Sequence, residues 1–190
     1  LPEIGGRDVT YPTNLERAAD FFFRIPDGIR PWVTALNGQG EGLVQVSTPR
    51  LQGRKLFIWG MGEGGRRWQA FLSKPGEAYI EIQAGLARTQ LEHLPMEAHA
   101  SWTWLEAYGP LAVDPDATRS SDWLEAREAA TEQIARLVPK GSLMEVLERY
   151  RPTLDHPLEQ ILQRGSGWGA LEARRREVAG EPSAASEALV

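Results

Sequence analysis

Two short stretches of this sequence alternate carboxylates, amides and aromatic rings with apolar or small residues. From Ala78 to Gly85 a repeat of two sets Tyr79, Glu81 and Gln83 on one face, with Ala78, Ile80 and Ile82 on the other. Ser101 to Gly109 repeats the pattern, with Trp102, Trp104, Glu106 and Tyr108 opposite Ser101, Thr103, Leu105 and Ala107. Between them Arg88, Gln90 and Glu92 share a face. Flat rings cover the C–H faces of a sugar, while Glu, Gln and Arg exchange hydrogen bonds with its hydroxyls. The same alternation also suits an exposed sheet face without a ligand.

Glu81 and Glu106 are the candidate catalytic carboxylates, expected on neighbouring antiparallel strands and aimed into one pocket. A carboxylate acts as general base on an anomeric hydroxyl when burial moves its pKa toward neutrality, and two of them can flank a glycosidic bond as acid and base. Trp102, Trp104 and Tyr108 are expected to raise the pKa of such a group by desolvation. Gln83 and Gln90 read as hydroxyl partners, and Trp104 and Trp59 as stacking platforms. Trp59 also suits a core position, since Lys55 and Phe57 share its face; Lys55 either binds a sugar oxygen or snorkels. This chemistry needs neither metal nor organic cofactor. His93, His99 and His156 have no metal spacing, and cysteine is absent.

Strands must position these residues. Gly and Pro punctuate the chain up to about residue 113, and Phe21–Phe23, Trp32–Leu36, Leu43–Ser47, Lys55–Trp59, Arg67–Leu72, Tyr79–Gln83, Leu86–Glu92 and Trp102–Tyr108 read as strands. Asn37-Gly38 is a hairpin turn signal. Past Asp114-Pro115-Asp116 the period becomes helical. Trp123, Ala130, Ile134, Leu137 and Val138 share a face behind a capping box of Asp122 and Glu125, and Pro139 and Gly141 end that helix. Shorter helices are expected from Ser142, from Asp155 to Gly165, and from Gly167 to Ala179, with Trp123 and Trp168 assigned to packing. The resulting division is a β domain over 1–115, a helical connector over 116–180 leading toward helical repeats, and a disordered tail over 181–190.

A net charge of −5 gives no general attraction to nucleic acid or to an anionic membrane. No apolar run approaches the roughly 20 residues of a membrane span, and no secretory signal is visible, which points to the cytoplasm.

Several motifs occur in one order: Gly-Arg-Lys-Leu-Phe-Ile-Trp-Gly at 53–60, Trp68, Tyr-Ile-Glu-Ile-Gln-Ala-Gly at 79–85, Thr89-Gln90 with Pro95-Met96, and Trp-Leu-Glu-Ala-Tyr-Gly-Pro at 104–110. Over about residues 5 to 115 this order resembles domain of unknown function 5107, a family of the galactose-mutarotase-like superfamily that is often joined to tetratricopeptide repeats. Residues 165–172, Gly-Ser-Gly-Trp-Gly-Ala-Leu-Glu, resemble the segment that precedes those repeats. The resemblance implies a mainly β antiparallel supersandwich portion followed by an α-helical segment, with a carbohydrate ligand on its concave face. It also implies that roughly the first half of the domain lies outside this chain, so that the upstream half or a second copy covers open sheet edges. The superfamily's epimerases draw catalytic histidines from upstream strands, and no residue here matches them. A fold and a ligand class therefore carry over, but not a reaction. Epimerase-like or glycosidase-like turnover stands beside non-catalytic sugar binding by a module coupled to helical repeats.

Overall fold

The computed structural model describes residues 3–74, 77–154, 156, 162–163 and 166–181. Among these residues the fold is mixed, with antiparallel sheets and five α-helices. Two compact units divide it, one ending at Leu147 and one beginning at Glu148.

In the first unit a small ribbon, β1 (Glu3–Ile4) with β2 (Arg7–Asp8), precedes two three-stranded sheets. One sheet runs β3 (Ala19–Phe22), β6 (Gly53–Ile58), β7 (Ile80–Gly85), and the other β4 (Trp32–Leu36), β5 (Glu41–Ser47), β8 (Glu106–Ala112), all antiparallel. The β4–β5 hairpin forms where Asn37-Gly38 announces it. Asn37 Oδ1 accepts from the Gln39 and Glu41 N–H groups at 2.9 and 3.0 Å, stabilising the turn locally. The left-handed residue is Gly40, at φ +75°, where an added Cβ would meet the Val113 carbonyl oxygen at 2.1 Å. Only glycine fits that position without displacement.

The apolar face of β4-β5-β8 carries Val44, Val46 and Leu111, which with Val113 pack against Ala130 and Ile134 of helix α3 (Trp123–Leu137). Trp32, Leu36, Ala129 and Leu143 ring this core. Ile134 is fully buried, worth about 2–3 kcal/mol of apolar transfer. Helix α3 starts as expected at Asp122, whose carboxylate accepts from the Leu124 N–H at 2.8 Å. The capping box closes through Ser120, whose hydroxyl donates to Glu125 and accepts from the Asp122 N–H. Leu137, expected on the packing face, is 59% exposed; the α3 residues in the core are Ala129, Ala130 and Ile134, and the short α2 (Pro115–Thr118) precedes them.

Three expected strands change. Arg67–Leu72 belongs to helix α1 (Glu63–Leu72), since Trp68, Phe71 and Leu72 recur at helical and not alternating spacing. Its buried residue, Gln69, ties the helix down by donating to the Gly60 carbonyl at 2.7 Å and accepting from the Tyr79 N–H at 2.9 Å. Leu86–Glu92 is a run of bends and turns, in which the Glu92 carboxylate takes the Arg88 N–H and the Thr89 hydroxyl takes that of Leu91. Such local bonds compete with a sheet ladder. The strand at Trp102–Tyr108 instead spans Glu106–Ala112, as an edge strand that tolerates Pro110 opposite Leu43.

Helix α4 (Ser142–Tyr150) carries the buried Leu147. In the second unit, α5 (Trp168–Ala179) lies where the fourth helix is expected and ends on Gly180 at φ +65°. Its Glu172 is held down to about 2 by hydrogen bonds from Arg175 and Arg176 at 2.8 and 2.7 Å. Trp168 is 87% exposed, so the expectation that it packs is corrected: few apolar partners recur along this largely charged helix. The expected helix over 155–165, apart from 156, 162 and 163, and the tail from 182 lie outside the described residues. Among the described residues no helix is long and apolar enough to cross a membrane.

Candidate functional site

Alternation along β6 sends Arg54, Leu56 and Ile58 to one side of the β3-β6-β7 sheet and Lys55 and Phe57 to the other. Leu56 and Ile58 are core, with Ile82 and Ile80 of β7 opposite them. On the other side two rungs cross the sheet: Phe22, Lys55, Gln83 and Asp20, Phe57, Glu81. Five of the seven residues singled out by sequence, Lys55, Trp59, Glu81, Gln83 and Gln90, meet on this face.

The contacts among them are specific. Lys55 Nζ pairs with Asp20 at 2.7 Å and donates to Gln90 Oε1, while lying 5.7 Å from the Phe22 ring centre and 5.5 Å from that of Phe57. Its side chain is 11% exposed. An ammonium held this deeply needs both its counter-charge and its ring contacts. Glu81 accepts from Trp59 Nε1 at one oxygen and from Gln83 Nε2 at the other, each at 3.1 Å. Its carboxylate is thereby fixed in orientation while remaining half-buried.

Trp59 is not an open stacking platform. Phe57 meets it edge-on at 4.7 Å, and Trp68 stacks on it at 5.1 Å with planes 20° apart. The open ring is that of Trp68, 51% exposed, with Phe71 set at 82° to it at 6.1 Å. Reading 67–72 as a strand hides this pair, whereas the three-residue spacing of Trp68 and Phe71 is the signal that would have found it.

Glu106 and Trp104 belong elsewhere, and the expectation that Glu81 and Glu106 lie on adjacent strands is corrected. Glu106 is on β8, in the other sheet. It shares a face with Ser47, its partner across β5. Arg54 reaches that face, its Nη2 donating to Ser47 Oγ at 2.6 Å. The β3-β6-β7 sheet therefore stands between the two carboxylates, with Glu81 on the Lys55 side and Glu106 toward the Arg54 side. The parity within each strand is as expected; the pairing between strands is what differs.

Around Glu106 the side chains form a closed network. Trp104 Nε1, Gln45 Nε2 and the Tyr108 hydroxyl donate to it at 3.1, 3.0 and 2.7 Å. Burial alone would raise its pKa, but these three bonds and the nearby Arg54 charge outweigh that effect and hold it below the ordinary carboxylate value. The aromatic neighbours thus act opposite to expectation, as donors and not as an apolar screen. Hydrogen bonding to Glu106, reinforced by burial, pushes the Tyr108 phenol up. Arg54, 1% exposed, is lowered to about 10 by burial, partly opposed by the charges of Glu106 and Tyr108. Gln45, Ser47 and Arg54 are partners that sequence reasoning missed, because Gln45 and Ser47 sit in an otherwise apolar strand.

A shallow groove of about 560 Å³ at the first turn of α1, bordered by Glu16, Glu63 and Arg66, contains none of these residues. Among the described residues no three His, Asp or Glu side chains cluster as a metal site would. No family model matches the chain, and neither a curated protein nor a solved structure does.

Proposed function

We propose that this chain binds a sugar on the Lys55 face of β3-β6-β7, and that its two sheets are later strands of a galactose-mutarotase-like supersandwich. The observation that carries this reading is the convergence of Lys55, Asp20, Glu81, Gln83 and Gln90 beside the Phe22, Phe57 and Trp59 rings. Oriented donors and acceptors next to aromatic surface are the chemistry a sugar requires. The edge strands β3, β7, β4 and β8 are where upstream strands of the same domain, or a second copy, would add.

Of the two carboxylates on this face, Asp20 is paired with Lys55, which leaves Glu81 to take a proton from an anomeric hydroxyl, and this needs no cofactor. A glycosidase working through a Glu81–Glu106 pair is set aside, because a sheet separates them. Binding without turnover is favoured by the engagement of both Glu81 oxygens by N–H donors. A glycan array on the full chain, followed by anomer-exchange measurements on any sugar retained, tests both readings. Retention lost in Lys55→Met supports the site, and exchange lost in Glu81→Gln with binding kept supports turnover. An array with no retained sugar contradicts the proposal.

A further inference from the structure

The Lys55 patch and the aromatic residues of α1 form one surface. Trp59 joins them, since its N–H bonds to Glu81 and its ring stacks on Trp68. Beyond Trp59, Trp68 and Phe71 meet at nearly a right angle and are 51% and 79% exposed. Two rings left this open on a helix whose Gln69 is anchored by two hydrogen bonds make a fixed corner of ring-sized apolar surface. The charges of the patch are balanced differently. Lys55 is neutralised by Asp20, which leaves the Glu81 carboxylate as the uncompensated charge.

Resting on the sugar-binding reading above, we propose that the ligand is an extended neutral oligosaccharide, with one unit over Glu81, Gln83 and Gln90, the last held in place by the buried Lys55, and a following unit stacked in the Trp68–Phe71 corner. The polar patch supplies hydroxyl partners for one unit but little ring surface, because Phe57 and Trp68 cover Trp59. The corner supplies ring surface with no polar group among its aromatic contacts. Stacking a sugar C–H face there removes from water the apolar area that the helix leaves exposed. A carboxylated or sulfated unit over the patch would meet the Glu81 charge.

The test is calorimetric titration of the full chain with D-glucose, D-galactose and D-mannose, with the β-1,4-linked tetrasaccharide of each, and with tetragalacturonate. At least one tetrasaccharide is expected to bind tenfold or more tightly than its own monosaccharide. Phe71→Ala is expected to erase that advantage without changing monosaccharide binding, whereas Lys55→Met weakens both. Because Phe71 is the more exposed ring of the corner and does not touch Trp59, an unchanged circular dichroism spectrum and melting curve establish that the variant is folded. Equal affinity for one and four units, or a tetrasaccharide advantage that survives Phe71→Ala, overturns the extended-ligand proposal while leaving the sugar face standing. Tetragalacturonate binding more tightly than tetragalactose overturns the neutral assignment. No binding of any of these sugars overturns the sugar reading itself, and this proposal with it.

Discussion

The two sheets carry nearly the same local pattern, a glutamate flanked at alternate positions by rings or an amide, and use it for different ends. On β7 the Glu81 carboxylate faces outward with Gln83, beside Lys55 and an aromatic row. On β8 the Glu106 carboxylate takes three donors and sits within electrostatic reach of a guanidinium that is 1% exposed. What distinguishes them is the layer each face meets. Arg54 and Lys55 are consecutive on β6, both buried, and point to opposite sides, so one cation lies within reach of the half-buried Glu106 and the other is held beneath the patch of Asp20, Gln83 and Gln90. Identical parity in a strand therefore says which residues share a face, but not whether that face is a site or a seam.

The largest expected effect separates the seam from both. Ile134→Ala, under the β4-β5-β8 sheet, should lower unfolding free energy by about 2–5 kcal/mol in urea titrations, because it opens a cavity among Val44, Val46 and Leu111. A loss well below that range would mean that α3 is loosely attached to the sheet.

Next comes the network itself. Glu106→Gln should cost about 1–3 kcal/mol, since it removes the charge that three donors and Arg54 are arranged around, and sugar binding should be unchanged. The pH dependence follows from the sign of the shift. A folded-state pKa below the unfolded value of about 4.3 means that Glu106 contributes stability above that pH and loses it as pH falls through the depressed folded value. The stability gap between wild type and Glu106→Gln should therefore be widest above about pH 4.3 and close at lower pH. A gap that stays constant in urea titrations from pH 6 to pH 2.5 would contradict this linkage.

On the open face the stability effects are smallest. Lys55→Met leaves Asp20 with its side chain 44% exposed, where water replaces the lost partner, so a cost below about 1 kcal/mol is expected in thermal unfolding. A cost several-fold larger would mean that the buried Lys55 braces the sheet and does more than position Gln90.

The strands that alternate cleanly, such as Ile80–Gly85, and the helix that opens on Asp122 were legible in the sequence, because period and capping are local properties. Face sharing within a strand was legible too, Lys55 with Phe57 and Glu81 with Gln83, but the β6–β7 register that sets Lys55 beside Gln83 and Phe57 beside Glu81 was not, because it depends on pairing between strands. The partner of β8 was not legible. Which strand Glu106 lies beside is decided by its pairing with Ser47 of β5, 59 residues away, and nothing within Trp104–Pro110 encodes that choice. Helix α1 was missed for a different reason. Trp68, Phe71 and Leu72 read as a short apolar run in a narrow window, and the glycines at 64 and 65 weaken the helix signal. The turn at Leu86–Glu92 was hidden because Thr89 and Glu92 satisfy backbone donors with their side chains.

The central claim is that the Lys55 face, and not the Glu106 seam, holds the ligand. Its most direct test is to titrate any sugar retained on the glycan array into wild type, Lys55→Met and Glu106→Gln under identical conditions. The account predicts that Lys55→Met weakens binding at least tenfold while its melting temperature barely moves, and that Glu106→Gln lowers the melting temperature while binding is unchanged. Binding lost in Glu106→Gln and kept in Lys55→Met would contradict it.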